Sequence, residues 1–221
     1  MNKIDTQLNV SEIFYSLQGE SSFAGLPFVF LRLQGCPLHC SWCDTPYARD
    51  YNGQSMQMTI QDIIKKVKSF NCKRVCVTGG EPLSHANTLQ LLNTLCNEGF
   101  IVTLETNGCE DISEVDPRVI KIIDFKCPDS NMSEFNRFDN VASINKNDEI
   151  KFVVASKIDY EWAKSIIQEY GLDEKAGNII FSPVTSLLKP DEIAAWMLKD
   201  CLDAHLQLQL HKLIWGNERG K

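Results

Sequence analysis

Three cysteines fall within eight residues, Cys36-Pro37-Leu38-His39-Cys40-Ser41-Trp42-Cys43. Thiolates gathered in one short loop bind soft metal, and three are one short of closing a tetrahedral zinc site or a four-thiolate iron–sulfur cluster. A cubane cluster held by three cysteines leaves one iron open to an outside ligand, and an open position serves chemistry rather than scaffolding. A structural zinc knuckle or a plain electron-transfer cluster would want a fourth protein ligand. His39 lies inside the loop, where its neighbours at both ends would strain it as a ligand to the same metal. Cys72, Cys76, Cys96, Cys109, Cys127 and Cys201 are isolated, and most suit small buried positions.

Three further segments carry groups fit for binding: Thr78-Gly79-Gly80-Glu81-Pro82, Glu105-Thr106-Asn107-Gly108 and Asp124-Phe125-Lys126-Cys127. Paired glycines let a backbone come close where side chains would block it. Amides and carbonyls exposed there can take a zwitterionic amino-acid group, although a tight strand-to-helix turn also explains them.

The elements that must position these groups follow from pattern. Apolar, β-branched runs predict strands at Phe28 to Leu33, Arg74 to Thr78, Ile101 to Thr106, Ile120 to Lys126, Glu149 to Val154 and Asn178 to Phe181. Helical spacing predicts helices at Thr59 to Ser69, Thr88 to Glu98, Asp159 to Tyr170 and Pro190 to about Leu206. Thr59, Asp159 and Lys189-Pro190-Asp191 supply cap or first-turn signals. Alternation of strand and helix predicts an α/β fold with parallel strands and right-handed crossovers, as an open sheet or part of a barrel. The polar stretch from Cys127 to Asp148 reads as loop or short helix, which leaves the helical layer incomplete. In this architecture loops converge at the C-terminal ends of strands, and all the segments above fall there.

The bulk properties bound the function. The 221 residues suit one sizeable core, and with no repeat, linker or boundary, residues 1–221 read as one domain. A net charge of -7 gives no footprint for nucleic acid and favours a small substrate. No apolar run approaches a membrane span, and Met1-Asn2-Lys3-Ile4-Asp5 lacks the apolar core of a signal peptide. Nine cysteines, an odd count, fit a reducing cytoplasm with free thiols and a metal site better than a disulfide framework.

The spacing Cys-x3-Cys-x2-Cys, with Trp42 before the last cysteine, resembles the signature of the radical S-adenosylmethionine enzymes. Thr78 to Pro82 resembles their GGEP motif, and Thr106-Asn107-Gly108 their third-strand end. The resemblance implies a partial TIM-like barrel of about six parallel strands with a reduced helical layer. It implies a 4Fe–4S cluster on Cys36, Cys40 and Cys43, whose fourth iron is chelated by S-adenosylmethionine. Reduction would cleave that cofactor to a 5'-deoxyadenosyl radical, which takes hydrogen from the substrate.

Further segments resemble the 7-carboxy-7-deazaguanine synthase family of queuosine and 7-deazapurine biosynthesis. They are Ile13 to Glu20, Phe30 to Cys36, Trp42-Cys43-Asp44-Thr45, Asp124 to Pro128 and Gln209-Leu210-His211-Lys212, so the likeness runs from about Glu12 to the C-terminus. The implied reaction is that of a carbon–nitrogen lyase. It contracts the ring of 6-carboxy-5,6,7,8-tetrahydropterin to 7-carboxy-7-deazaguanine with loss of ammonia, starting by hydrogen removal from C6. No acid–base pair stands out for the proton transfers.

For that substrate, Leu17, Gln18, Gly19 and Glu20 would read the donor–acceptor edge, since a carboxylate suits an aminopyrimidinone's paired N–H donors. Arg32 would fork onto the substrate carboxylate, or else make a surface salt bridge. Thr78 and His211 complete the implied substrate contacts, His211 being otherwise a solvated or packed histidine. The resemblance gives the Thr45 hydroxyl to Mg2+; without it, Thr45 reads as a turn hydroxyl before Pro46. S-adenosylmethionine would meet Trp42, Cys43, Asp44, Gly80 and Glu105. Its remaining contacts would be Asp124, Lys126, Cys127, Ser182 and Val184, with a strand-end ion pair as the other reading of Asp124 and Lys126. The implied partners are a flavodoxin or ferredoxin reductant and a second copy in a homodimer. A glycyl-radical activating enzyme and a non-catalytic iron–sulfur redox or sensor module are the competing functions. Arg32, Gln18-Gly19-Glu20 and Thr45 argue against the first, and the second predicts no reductive cleavage of S-adenosylmethionine.

Overall fold

All six β-branched runs form strands, and they lie parallel, because a helix or long loop separates each from the next. A computed structural model describes residues 7–216 and 218–221; the segment 1–5, read above as lacking a leader's apolar core, lies outside the described residues. In chain order the elements begin β1 (Gln7–Leu17), β2 (Pro27–Leu33), β3 (Met56–Thr59), α1 (Ile60–Lys68), β4 (Arg74–Gly79), α2 (Thr88–Asn97), β5 (Ile101–Thr106) and β6 (Ile120–Phe125). They continue β7 (Glu149–Val154), α3 (Lys157–Tyr170), α4 (Leu172–Lys175), β8 (Asn178–Pro183), α5 (Pro190–Lys199), β9 (His205–Leu206) and α6 (Leu210–Trp215).

One sheet runs β3-β1-β2-β4-β5-β6-β7-β8-β9. It is parallel from β2 to β9, while β1 pairs antiparallel with both β2 and β3. The expected six parallel strands thus gain the short β9 and an antiparallel pair at the other edge. Helices α1 to α5 all contribute buried side chains to one core cluster against the sheet. Ile63 and Val67 of α1 and Leu91, Leu92 and Leu95 of α2 are fully buried in one cluster with Val29, Leu31, Val75 and Val77. Each such side chain contributes about 1.5–3 kcal/mol of burial.

The predicted caps hold with one change. The Thr59 hydroxyl accepts from the Asp62 amide (3.1 Å) and starts α1. Ser156, not Asp159, caps α3; Asp159 lies in its first turn, fully buried, and its carboxylate accepts from the Asp129 and Ala155 amides. The helix predicted to reach Leu206 stops at Lys199, because Cys201 adopts a left-handed φ of 50° and turns the chain into β9.

Between β6 and β7 the crossover has no α-helix. It is built of three 3-10 turns, Pro128–Ser130, Ser133–Phe135 and Phe138–Ser143, as the polar composition foretold. Side chains pin it in place of a helical ladder: Asn140 donates to the Gly108 and Glu110 carbonyls, and Asp148 pairs with Lys121 at 2.9 Å, both almost wholly buried. Among the described residues no helix is long and apolar enough to cross a membrane.

Candidate active site

Successive residues of a strand face opposite sides, so each parallel strand turns one row to the helices and one to the concave face. Near the C-terminal ends that row carries Arg32 on β2, Thr78 on β4, Glu105 on β5, Asp124 on β6, Lys151 on β7 and Ser182 on β8. All six line one cavity of about 580 Å3, a size usual for small-molecule sites. Register sets Arg32 beside Thr78 and Asp124 beside Lys151.

The cysteine loop leaves β2 and forms one wall. Cys36, Cys40 and Cys43 are free thiols and all line the cavity. The loop is shaped by backbone bonds: Gly35 N–H to Ala48 O (2.8 Å), Cys36 N–H to Arg49 O (2.9 Å) and Cys43 N–H to Cys40 O (3.3 Å). The helixless crossover braces it from outside, through the Ser41 amide on the Ser130 carbonyl (3.2 Å) and Asn131 Nδ2 on Ser41 Oγ (2.8 Å). Asn107 Nδ2 reaches Cys36 Sγ at 3.6 Å. His39 is exposed and off the cavity wall, so it adds no fourth ligand. Burial pushes the Cys36 thiol up to about 11 and raises that of Cys40, so both hold their protons until a cation displaces them. Among the described residues these three are the cysteines that line the cavity, the donor set of a cluster with an open iron.

The glycine pair sits against this loop. Glu81 N–H bonds Gly35 O (2.8 Å) and Gly80 N–H bonds Leu33 O (3.1 Å), an approach that a Cβ on Gly80 would block by striking the Gly35 carbonyl. Glu81 itself points away from the cavity and is completely buried. It accepts from the Leu83 and Asn107 amides and from Thr106 Oγ1, tying β4 to β5. Burial nonetheless raises its carboxyl to about 7.

Opposite the cysteines, Glu105 accepts from Thr78 Oγ1 (2.9 Å) and Gln18 Nε2 (3.2 Å). Glu105, which the family resemblance gave to S-adenosylmethionine, thus stands among the residues given to the substrate. Gln18 Nε2 also lies 3.8 Å from Cys76 Sγ, and Gln18 Oε1 takes the Glu20 amide at 3.2 Å, so this side chain is engaged within the protein. Glu20 accepts from Lys151 Nζ and Gln209 Nε2, each at 2.6 Å. Burial works against its charge, but Lys151 outweighs it and holds the carboxyl well below its usual range. Gly19 packs so tightly on His211 that a Cβ there would meet the imidazole ring, which sets His211 on the cavity wall.

Arg32 is ion-paired, but not at the surface. Its Nε bonds Glu12 Oε1 at 2.8 Å with both side chains about 15% exposed or less, and Tyr47 Oη and Arg219 Nε also reach Glu12. Lys126 does pair with Asp124 (2.9 Å), on the cavity wall. Asp124 Oδ1 is buried without a hydrogen-bond partner, while Oδ2 carries the bond to Lys126. Thr45 precedes the 3-10 turn Pro46–Ala48, yet its side chain makes no capping bond; its carbonyl takes the Ala48 amide instead. Its hydroxyl is therefore not held by the turn, and Thr45 lines the cavity, a hard donor of the kind Mg2+ takes.

Leu17, Trp42, Asp44, Ser182 and Val184 also line the cavity. Both backbone polar groups of Val184 are engaged, the amide with Val154 O and the carbonyl with the Leu187 and Leu188 amides. Cys127 is the exception among the predicted contacts. It is 1% exposed, lies in the apolar core rather than on the cavity wall, and its carbonyl is taken by Ser130. Sequence reasoning passed over Lys151, Gln209, Glu12 and Tyr47. A charged residue inside an apolar parallel strand was the available signal for Lys151, because such strands are covered on both faces.

A family model described as the Radical SAM superfamily matches residues 31–124. A 7-carboxy-7-deazaguanine synthase of Chlorobaculum tepidum is 48% identical over 96% of both chains. One of Clostridium acetobutylicum is 39% identical over 96% of this chain and 98% of its own. In fold, the crystal structure of QueE from Escherichia coli superposes with a TM-score of 0.75 at 24% identity, covering 93% of this chain and 95% of that one. Archaeal TYW1 superposes with a TM-score of 0.56 at 14% identity over 80% of this chain and 72% of that one. The chain belongs to the 7-carboxy-7-deazaguanine synthase family, within the radical S-adenosylmethionine superfamily.

Proposed function

We propose that the protein converts 6-carboxy-5,6,7,8-tetrahydropterin to 7-carboxy-7-deazaguanine with release of ammonia. The observation that carries this reading is one cavity with three free thiols on one wall and Arg32, Glu20, Thr78 and His211 on the others. When bound, the 4Fe–4S cluster and S-adenosylmethionine supply the radical that takes the substrate hydrogen.

The chain's own residues bind and orient. Cys36, Cys40 and Cys43 hold the cluster. Gly80, Asp124 and Lys126 line the side of the cavity that receives polar groups of S-adenosylmethionine, with Lys126 fixing Asp124 through Oδ2. On the substrate side Glu20 offers a carboxylate to the aminopyrimidinone N–H pair. Arg32, held at Nε by Glu12, turns its remaining guanidinium donors to the substrate carboxylate. Thr45 offers its hydroxyl oxygen to Mg2+, with substrate and water oxygens to complete the shell. Glu105 sets Thr78 and Gln18 and thereby the shape of the substrate wall. The reading takes the chain as one domain, acting in the cytoplasm as a homodimer with a flavodoxin or ferredoxin as electron donor.

Anaerobically reconstituted protein, given S-adenosylmethionine, reductant and carboxytetrahydropterin, should form a deazaguanine chromophore, and Cys40→Ala should form none. Cleavage of S-adenosylmethionine without deazaguanine would point to another radical substrate. Absence of both in a sample with full iron would favour a redox or sensor module.

A further inference from the structure

Lys151 lies in the middle of β7, inside a sheet whose other face is sealed by helices, and turns its ammonium into the cavity. Nζ stands 2.6 Å from Glu20 Oε2 and 3.7 Å from Asp124 Oδ2, and the three side chains are between 12% and 16% exposed. The second oxygen of Glu20 is taken by Gln209 from the chain that leads into α6. Glu20 is therefore clamped from two unrelated elements. Each oxygen keeps a lone pair, and together they present two parallel acceptor positions.

We propose that Lys151 is a positioning residue: it holds Glu20 in one orientation as an anionic acceptor for the paired N–H donors of the substrate's aminopyrimidinone edge. This rests on the function proposed above. Two features exclude the other roles open to a cavity lysine. Its ammonium is held between two carboxylates, which more than offset its burial and keep it charged, so it is a poor proton donor. It also differs from the buried Lys121–Asp148 pair, which lies off the cavity wall and serves only the crossover.

The consequence lies in what Glu20 becomes without it. The charged and titratable groups around Glu20 and Lys151 are Asp124 on β6, Lys126 just beyond its end, Glu105 on β5 with Arg32 of β2 near it, His211 and Lys212 on α6, and Asp44 in the cysteine loop. With Lys151 removed, Glu20, Asp124 and Glu105 line one cavity without the ammonium that stood between Glu20 and Asp124, and Lys126 stays paired with Asp124. Glu20 then takes up a proton as pH falls, and an O–H replaces an acceptor opposite the substrate's own donors. Donor meets donor, and binding weakens.

The test compares unmodified holoenzyme with Lys151→Met, Lys151→Arg, Glu20→Gln and the Glu20→Gln/Lys151→Met double variant in deazaguanine formation across pH. Lys151→Met should raise KM about tenfold or more near pH 6 and progressively less toward pH 9, with the change falling on KM rather than kcat. Lys151→Arg keeps the charge and should stay within about threefold of the unmodified enzyme. In the Glu20→Gln background, Lys151→Met should add no further rise, because its partner's charge is already gone. Should Lys151→Met fail to fold, the arginine and double variants carry the same comparison. A KM change independent of pH, or effects that simply add in the double variant, would overturn the role of Lys151 alone. An unmodified enzyme that makes no deazaguanine would instead overturn the functional reading on which it rests.

Discussion

Alanine at Gly80 puts a methyl group where the backbone of the cysteine loop passes. The new Cβ would stand 2.5 Å from the Gly35 carbonyl carbon and 2.8 Å from the Ala48 carbonyl oxygen. Carbon contacts settle at about 3.5–4.0 Å, so the two segments must part by about 1 Å. Three backbone bonds resist: Gly80 to Leu33 (3.1 Å), Glu81 to Gly35 (2.8 Å) and Gly35 to Ala48 (2.8 Å). Overpacking costs about 1–3 kcal/mol and a buried amide left unmet about 1–3 kcal/mol more, which together give about 2–6 kcal/mol. At about 2–4 °C per kcal/mol for a chain of this size, Tm should fall by about 4–24 °C. The displacement is delivered to Cys36, the next residue along, and an error of about 1 Å in a reacting constellation is worth about a hundredfold in rate. Calorimetry, iron content after reconstitution and 5'-deoxyadenosine yield measure these effects separately. A Gly80→Ala protein with unchanged Tm, full iron and full cleavage would refute the idea that the two loops share one backbone packing.

Glu81 gives a pH effect with a definite sign. Its folded carboxyl titrates at about 7 against an ordinary 4.5, so the folded state binds the proton more tightly than the unfolded one. Its contribution is most favourable below about pH 4.5 and is lost as pH rises to about 7, by about 3 kcal/mol in all. Denaturant titrations of Glu81→Gln should lack this decline, so its stability relative to the unmodified protein should grow from pH 4.5 to 7; a constant difference would be inconsistent with that burial. Lys121→Met leaves Asp148 buried without its cation and should cost about 3–5 kcal/mol by chemical denaturation, while Lys121→Met/Asp148→Asn, which removes both charges and keeps an acceptor for the backbone amides, should recover part of it. Equal losses in both variants would show that the pair's charges are not the cause.

The parallel strands were legible because covered strands must be apolar on both faces, and runs such as Val75-Cys76-Val77 and Ile122-Ile123 have few other uses. β1 was not legible. The register of its pairing with β2 shifts between Val10 and Glu12, so the alternation that marks Leu8 and Val10 as inward loses phase before Ile13. The end of α5 was missed because no glycine announces it, the left-handed turn falling on Cys201. In the site, the cysteine loop was readable from spacing alone, since its chemistry is local. Lys151 and Gln209 were not, because their meaning comes from Glu20, 131 and 189 residues away along the chain. The side chain of Cys127, named from its motif, lies in the core. It is one residue beyond Lys126, and that single step takes a side chain from the cavity wall into the core.

The sheet does not close on itself, since β3 and β9 are its edges. The two halves meet instead through the β1–β2 hairpin loop, where Gln207 binds the Ser21 backbone at both its amide and carbonyl, Leu210 N–H binds Gly19 O, and Ser22 N–H reaches Glu149. Parting any two central strands would break a continuous ladder, whereas parting this seam breaks a handful of bonds, about 0.5–1.5 kcal/mol each between neutral groups and about 1.5–3 kcal/mol each at Glu20 and Glu149. The compliance of the whole shell is thus concentrated along one line, and Gly19, Glu20 and His211 stand on it. Hydrogen exchange should report that line as the fastest-opening edge of an otherwise slowly exchanging sheet.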